Sequence, residues 1–280
     1  MPKDFRATAL ERAVGRKLAR WRDERDLSLF EAGRRVGFSS AKLSMMENAI
    51  QPSAVFDVMA LGFVYKVPAA ESQAVMSQTQ RAADLRTFRQ PQAADLDPAE
   101  DFPSLLADAT RLRTFAAHAV PAVLQLTDYA TAMSQQSDPT KAAQLARMRE
   151  AWTTRASGAD CLAVEAVLPE AALRQLVGGR RVLKAQLLHL MEVSVRPEVS
   201  IQVVPHSAAT CPAMNLSFAW VSFPHRQHND VVYTETFLRS EYLESRGEVE
   251  QVSERFSTLR TLALNEGESL EFIAEAAAHL

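Results

Sequence analysis

GRKLARWRDERDLSLFEAGRRVGFSSAKLSMMENAIQPS, residues 15–53, decides how the first third of this chain folds. Val14, Leu18 and Trp21 recur at spacings of four and three with Arg and Lys between them, which is the stripe of an amphipathic helix from about Leu10 to Arg25. Ser28 followed by Glu31 is a capping box that opens a second, short helix through Val36, and Gly37 closes it in a left-handed conformation. Ser39 is the next N-cap. It starts a third helix that buries Leu43, Met46 and, at its entrance, Phe38, and that ends at Ala49 and Pro52. Val55–Phe63 and Glu71–Phe88 supply a fourth and a fifth helix.

Outward from this stretch the charge is uneven. The chain has 280 residues and a formal net charge of −3, yet residues 1–50 hold 11 Lys and Arg against 7 Asp and Glu, leaving 20 against 27 in the remainder. A mildly basic head on an acidic body suits a small nucleic-acid-binding module joined to a separate domain, and argues against a chain that coats nucleic acid along its length. With 47% hydrophobic residues, 9 Gly and 13 Pro, the composition is that of a packed globule of two domains. The sequence has no apolar run of about 18 residues, and the charged first residues do not form a signal peptide, so a cytoplasmic protein with no membrane partner is expected. Cys161 and Cys211 are too few for a disulfide framework and lack zinc-site spacing.

RQPQAADLDPAEDFP, residues 89–103, is the best boundary in the chain, with three prolines and many acids. The expected organisation is a five-helix domain over 1–88, a linker over 89–103 and a second domain over 104–280. Beyond the linker, helical patterns at Ser104–Phe115, Thr127–Gln135 and Thr140–Arg155 give way to CLAVEAVL (161–168), VSIQVVP (199–205), LSFAWVSF (216–223) and DVVYTET (230–236). These are short β-branched or aromatic runs bounded by turn residues, which is how strands read. Helices over Pro169–Val177 and Arg180–Val195 separate the first two, and the last two can pair as a hairpin. A helix over Glu248–Ala263 and a short Glu- and Ala-rich tail complete an α+β fold with a small, mostly antiparallel sheet.

Two short helices around a Gly-containing turn form a helix-turn-helix, and the residue types strengthen that geometric reading. Helix 1 carries Leu18 and Trp21, Leu27 and Ser28 precede helix 2, Glu31, Val36 and Gly37 follow, Ser39 opens helix 3, and Ser44, Glu47 and Pro52 complete the pattern. On these positions the stretch resembles the repressor-type (XRE-like) family. In that fold the third helix lies in the major groove and the second crosses the phosphate backbone. Ser40, Ala41, Lys42 and Ser44 would then face DNA, where Ser bonds base edges and an Ala methyl touches that of thymine. Lys42, Arg34, Arg35 and Arg16 would neutralise phosphates. Glu47 would be repelled there, so it is expected to pair with Arg22 or Arg20.

Four positions depart from the family pattern: Leu29 stands where a phosphate-gripping Gln is usual, Met45 where many members have Arg, Gly33 for Ala, and Ala49 for Gly. The glycine inside helix 2 is expected to cost about 0.5–1 kcal/mol of helix stability. Further along, RTFAAHAVPAVLQLTDYA, LPEAALRQLVGGRRVLKAQLLHL, VSIQVVPHSA, NLSFAWVSFP and DVVYTET followed by EYLE resemble an actinobacterial group that includes the WhiJ-like developmental regulators. The resemblance implies a regulator, often encoded near a small acidic partner protein.

The expected partners are therefore double-stranded DNA, a second copy of the chain in a homodimer reading two half-sites, that acidic protein, and a small-molecule effector. No cofactor, metal or catalytic residue is expected. His206, Cys211, His225 and His228 fall close together but match no zinc pattern; Gly178–Gly179 before Arg180 and Arg181 reads as a helix–helix turn; no phosphate-binding glycine loop is present. Trp152, Trp220, Phe218 and Phe223 are candidate pocket aromatics, although Phe218, Trp220 and Ser222 alternate as on one face of a strand. The competing reading is a helix-turn-helix protein that has lost its DNA contacts and whose C-terminal domain is a small-molecule binder or an enzyme of a specialised metabolic pathway.

Overall fold

The computed structural model describes residues 5–88, 96–134, 161–209, 212–236 and 239–280, with eleven α-helices and six strands among them. They fall into two compact units, Met1–Asp97 with Pro224–Asn229, and Pro98–Phe223 with Asp230–Leu280.

The first unit contains α1 (Ala9–Asp23), α2 (Leu29–Val36), α3 (Ser40–Glu47), α4 (Val55–Val64) and α5 (Ala69–Phe88). Capping boxes start α1 and α2, with Thr8 and Ser28 each accepting from the backbone N–H three residues on while Glu11 and Glu31 reach back. Gly37 ends α2 at φ 84°, in the left-handed region that glycine enters without steric cost. Val14, Leu18, Trp21, Ala32, Leu43, Met46, Val58, Leu61 and Tyr65 close one apolar core. Full burial of each Leu contributes about 1.5–3 kcal/mol. Trp21 is wholly buried and its indole Nε1–H donates to Glu71 Oε1 at 2.8 Å, so the ring is satisfied as well as packed.

Gly33 has a reason that helix propensity does not show. A Cβ built there would lie 2.5 Å from the Phe38 carbonyl oxygen, so the turn can fold back onto α2 only because no side chain is present. Gly15 does the same for the end of α3, where a Cβ would meet Glu47 O at 2.5 Å. Ala49, in place of the usual glycine after helix 3, holds φ 48°.

The second unit is built on a six-stranded mixed sheet of order β3-β2-β1-β4-β5-β6, larger than the small sheet expected. Its strands are β1 (Arg111–Phe115), β2 (Ala163–Pro169), β3 (Val199–Val204), β4 (Phe218–Ser222), β5 (Val231–Glu235) and β6 (Ser240–Leu243). Pairs β1–β2 and β2–β3 are parallel; β1–β4, the expected hairpin β4–β5, and β5–β6 are antiparallel. Around it run α6 (Pro98–Ala107), α7 (Thr127–Ser134), α8 (Glu170–Arg174), α9 (Gly179–Ser194), α10 (Arg246–Leu262) and α11 (Glu266–Ala278).

Two expectations are corrected, and one further strand is found. Ser104–Phe115 is not one helix: α6 stops at Ala107 and the central strand β1 follows. Leu105, Ala109 and Leu112 happen to fit a helical period, which hid a five-residue strand. The Glu- and Ala-rich tail is helix α11, started by an Asn265–Glu268 capping box and anchored by Ile273, Ala276 and Ala277. Edge strand β6 carries no fully buried residue, so it has no strong alternation to read. Helix α6 also occupies 98–103, within the proline-rich boundary stretch. The helix expected over Thr140–Arg155 lies outside the described residues.

Helices sit on both faces of the sheet. On one, Leu112, Val164, Ala166, Leu168, Ile201, Val203 and Val221 pack with side chains of α6, α9 and α11 in the main core. On the other, Phe115, Val167, Val204, Phe218 and Val232 meet Val252, Phe256 and Leu259 of α10. Among the described residues no helix is long and apolar enough to cross a membrane.

Candidate nucleic-acid interface

The turn Gly37-Phe38-Ser39 joins α2 to α3, and Ser39 Oγ accepts from the Lys42 backbone N–H at 3.1 Å to start the second of these helices. Leu43 and Met46 anchor α3 in the core, which leaves Ala41 exposed and Ser40, Lys42 and Ser44 half-buried. Arg34 and Arg35 are exposed in the last turn of α2, just before the turn that leads into α3. The sequence-predicted contacts on α2 and α3 therefore come together at the α2–α3 junction. Arg16 stands apart on α1 and is half-buried; its neighbour Gly15 abuts the Met46 and Glu47 carbonyls, which places Arg16 toward the other end of α3.

Glu47 is bound as the sequence leads one to expect. Arg22 Nε and Nη2 donate to its two carboxylate oxygens, each at 2.8 Å, and these hydrogen bonds hold the guanidinium above its ordinary pKa. Lys42 holds a partner that sequence reasoning missed. Its Nζ lies 2.9 Å from Asp57 Oδ2 of α4 and 3.7 Å from the centre of the Phe38 ring. A carboxylate in the first turn of the following helix was the available signal.

The N-terminus of α2 is closed to phosphate. Glu31 accepts from Ser28 N–H and Ser28 Oγ–H, and these bonds, the hydroxyl's first, lower its pKa and keep a negative charge there. Leu29, at the position of the usual Gln, packs partly against the core. Neither residue offers a phosphate the cation or amide that the exposed Arg34 and Arg35 carry at the end of α2. Beside this surface α4 exposes Phe56, Met59 and Phe63 (77%, 47% and 85%), spaced three and four along one face, and α2 exposes Phe30 (70%).

In the second unit, a pocket of about 150 Å3 opens at the carboxyl end of β1. Phe102, Leu112, Pro121, Val123 and Tyr233 line it, with Thr114, Ser217 and Glu235 among its polar groups. Phe102 and Tyr233 stack at 4.4 Å, and the Tyr233 hydroxyl donates to Glu235 Oε2 at 3.1 Å. This is where the sheet changes from parallel to antiparallel, the position at which open α/β sheets commonly hold ligands. Of the candidate pocket aromatics, Phe218 lines it. Trp220, on the same face of β4 as Phe218, does not line it, Phe223 packs partly against the main core, and Trp152 is outside the described residues.

The other candidates come to less. Exposed His206 lies 3.5 Å from Glu170, His225 and His228 sit edge to face at 5.2 Å, and Cys211 is outside the described residues. Among the described residues no group of three or more His, Cys, Asp or Glu could hold a metal ion. Gly178 and Gly179 take positive φ at the start of α9, where Arg180 and Arg181 are exposed.

Residues 99–275, more than half of the chain, match the family profile described as "Domain of unknown function (DUF5753)", and residues 13–75 match one described as "Helix-turn-helix domain". Neither a search of curated proteins nor one of solved structures found a match.

Proposed function

The chain belongs to the family of the domain of unknown function DUF5753, here preceded by a helix-turn-helix domain, and we propose that it is a sequence-specific, dimeric transcriptional regulator whose C-terminal domain binds a small-molecule effector. The observation that carries this reading is the outward side of α3: Ala41, with Ser40, Lys42 and Ser44, stands clear of the core beside the exposed Arg34 and Arg35. Hydroxyls and a methyl for base edges next to guanidiniums for phosphates are what major-groove reading needs. The domain organisation follows: DNA binding in 1–88 and sensing in 104–280, in an intracellular protein of the XRE-like, WhiJ-like kind.

Dimerisation is supported by the α4 stripe. One module contacts few base pairs, so a second copy is needed for a long operator, and three large apolar side chains left in water on one helix face gain from being covered. Effector binding is supported by the pocket at the end of β1, whose lining is mostly apolar with a few polar groups, as in small-molecule sites.

The test is fluorescence polarisation with the protein's own upstream DNA, alongside genomic footprinting with the full chain. Salt-dependent, saturable binding that Lys42→Ala and Ser44→Ala both weaken is the expected result; binding undiminished in both variants sinks the assigned surface. Leu29, packed partly against the core, and Glu31 at the start of α2 favour the second reading, a head without DNA contacts. A small molecule retained on the purified protein, with no DNA retention at any salt, would establish it.

A further inference from the structure

The face of the sheet packed by α10 is apolar at one end and polar at the other. At its apolar end Phe115, Val167 and Phe218 pack with α10. At its polar end Trp220, Arg113 and Glu165 stand side by side on β4, β1 and β2, with Arg113 paired in register to both neighbours. They line an open groove of about 430 Å3 together with Gln202 of β3 and Ser253, Ser257 and Arg260 of α10.

The charges there do not balance. Glu165 receives three guanidiniums: Arg111 Nη1 and Arg113 Nε reach Oε1 at 3.3 and 3.5 Å, and Arg260 Nη1 reaches Oε2 at 3.2 Å. Asp230, the other carboxylate acting on Arg113, accepts from Trp220 Nε1–H and Ser222 Oγ–H, each at 2.8 Å. Three guanidiniums thus stand against two carboxylates, one of them already holding two neutral donors. Arg113 lies over the Trp220 ring at 4.0 Å with only 17% of its side chain exposed, and that burial, more than Glu165 can offset, lowers its pKa. A partly desolvated cation short of negative charge gains from a further anion. Each guanidinium carries five N–H donors in a rigid fork. Arg113 gives one to Ser222 Oγ, and Arg260 gives one to Gln202 and one to Glu165. Ser253 and Ser257, one turn apart on α10, add two hydroxyls on the same face.

We infer that this groove is a second ligand site of the C-terminal domain, taking a small oxyanion, the carboxylate or phosphate of a metabolite, between Arg113 and Arg260. It does not depend on the DNA-binding reading, and it shares no lining residue with the apolar pocket.

The test is isothermal titration calorimetry on the full chain with inorganic phosphate and, separately, succinate, at ionic strength held constant with chloride. Saturable one-to-one binding of at least one of them is expected, weakened at least tenfold by Arg113→Gln and by Arg260→Gln. Glu165→Gln, which removes the internal competitor, is expected to tighten it several-fold, a gain that misfolding cannot imitate. Which probe binds assigns phosphate or carboxylate chemistry to the site. No saturable heat with either probe, equal affinity in all three variants, or binding that chloride alone reproduces, an adventitious ion only, each overturns the proposal.

Discussion

Arg22 of α1 grips Glu47 in the last turn of α3 through two parallel hydrogen bonds of 2.8 Å, while its third nitrogen donates to Leu27 O at 2.9 Å. The carboxylate that sequence position alone would place near DNA therefore ties the recognition helix to the helix behind it. Glu47→Ala leaves a half-buried guanidinium without its main partner and is expected to destabilise the first unit by about 2–3 kcal/mol. At temperatures where the variant is folded, the salt dependence of its DNA binding should match the wild type; denaturant melts and salt titrations check the two halves of this statement.

Arg34 and Arg35 are assigned phosphates, so the double substitution to Ala should reduce the slope of log affinity against log salt by roughly two. Asp57→Ala acts in the other direction: it frees Lys42 for a phosphate and should tighten binding by roughly 0.5–1 kcal/mol, the ordinary worth of an exposed ion pair. Loss of affinity in the Asp57 variant, with the fold intact, would remove Lys42 from the interface.

Helix propensity alone says that Gly33→Ala should stabilise α2 by about 1 kcal/mol. The 2.5 Å approach of the Phe38 carbonyl says the reverse. Overpacking against backbone costs about 1–3 kcal/mol, so a net loss of up to about 2 kcal/mol is expected in chemical denaturation.

Glu71 accepts from the Trp21 indole and from Arg20, and these bonds, the indole's first, lower its pKa. A carboxylate depressed in the folded state adds stability in full above its unfolded pKa of about 4.3, and that stability is lost as pH falls through the lower folded value. Melting of the wild type should thus become easier below about pH 4, and Glu71→Gln should flatten that part of the profile.

If the proposed dimer forms through the α4 stripe, Phe56→Ser with Phe63→Ser should leave only monomer in sedimentation velocity. Each change alters monomer stability by no more than about 0.5 kcal/mol, because both rings are solvated in the single chain. A dimer that survives both substitutions places the subunit contact elsewhere.

The helical head was legible because its signals are local: a capping residue, a 3.6-residue stripe and a turn glycine each act within a few positions. Arg22 and Glu47 were legible too, by elimination. The Lys42–Asp57 pair was not, since it depends on how α4 docks beside α3. Strand β1 was hidden because five residues with two apolar side chains satisfy a helical period as well as a strand one; only its pairing with both β2 and β4 shows it to be central. The polar row on the sheet was readable residue by residue, yet Arg113, Glu165 and Trp220 are neighbours only through register across strands far apart in sequence.

The pairing of Lys42 with Asp57 bears on how such a protein searches a genome. An arginine- or lysine-studded face is drawn to any duplex and spends its time on the 10⁶–10⁹ wrong sequences that compete for it, on the order of a bacterial to a larger genome. Here the lysine carries its own counter-charge at 2.9 Å, so a random duplex offers it only an exchange of one anion for another. On the proposed reading, affinity then grows chiefly where the hydroxyls of Ser40 and Ser44 also find their bases. Fewer molecules are stranded on unrelated DNA, and a small cellular pool suffices to keep an operator occupied.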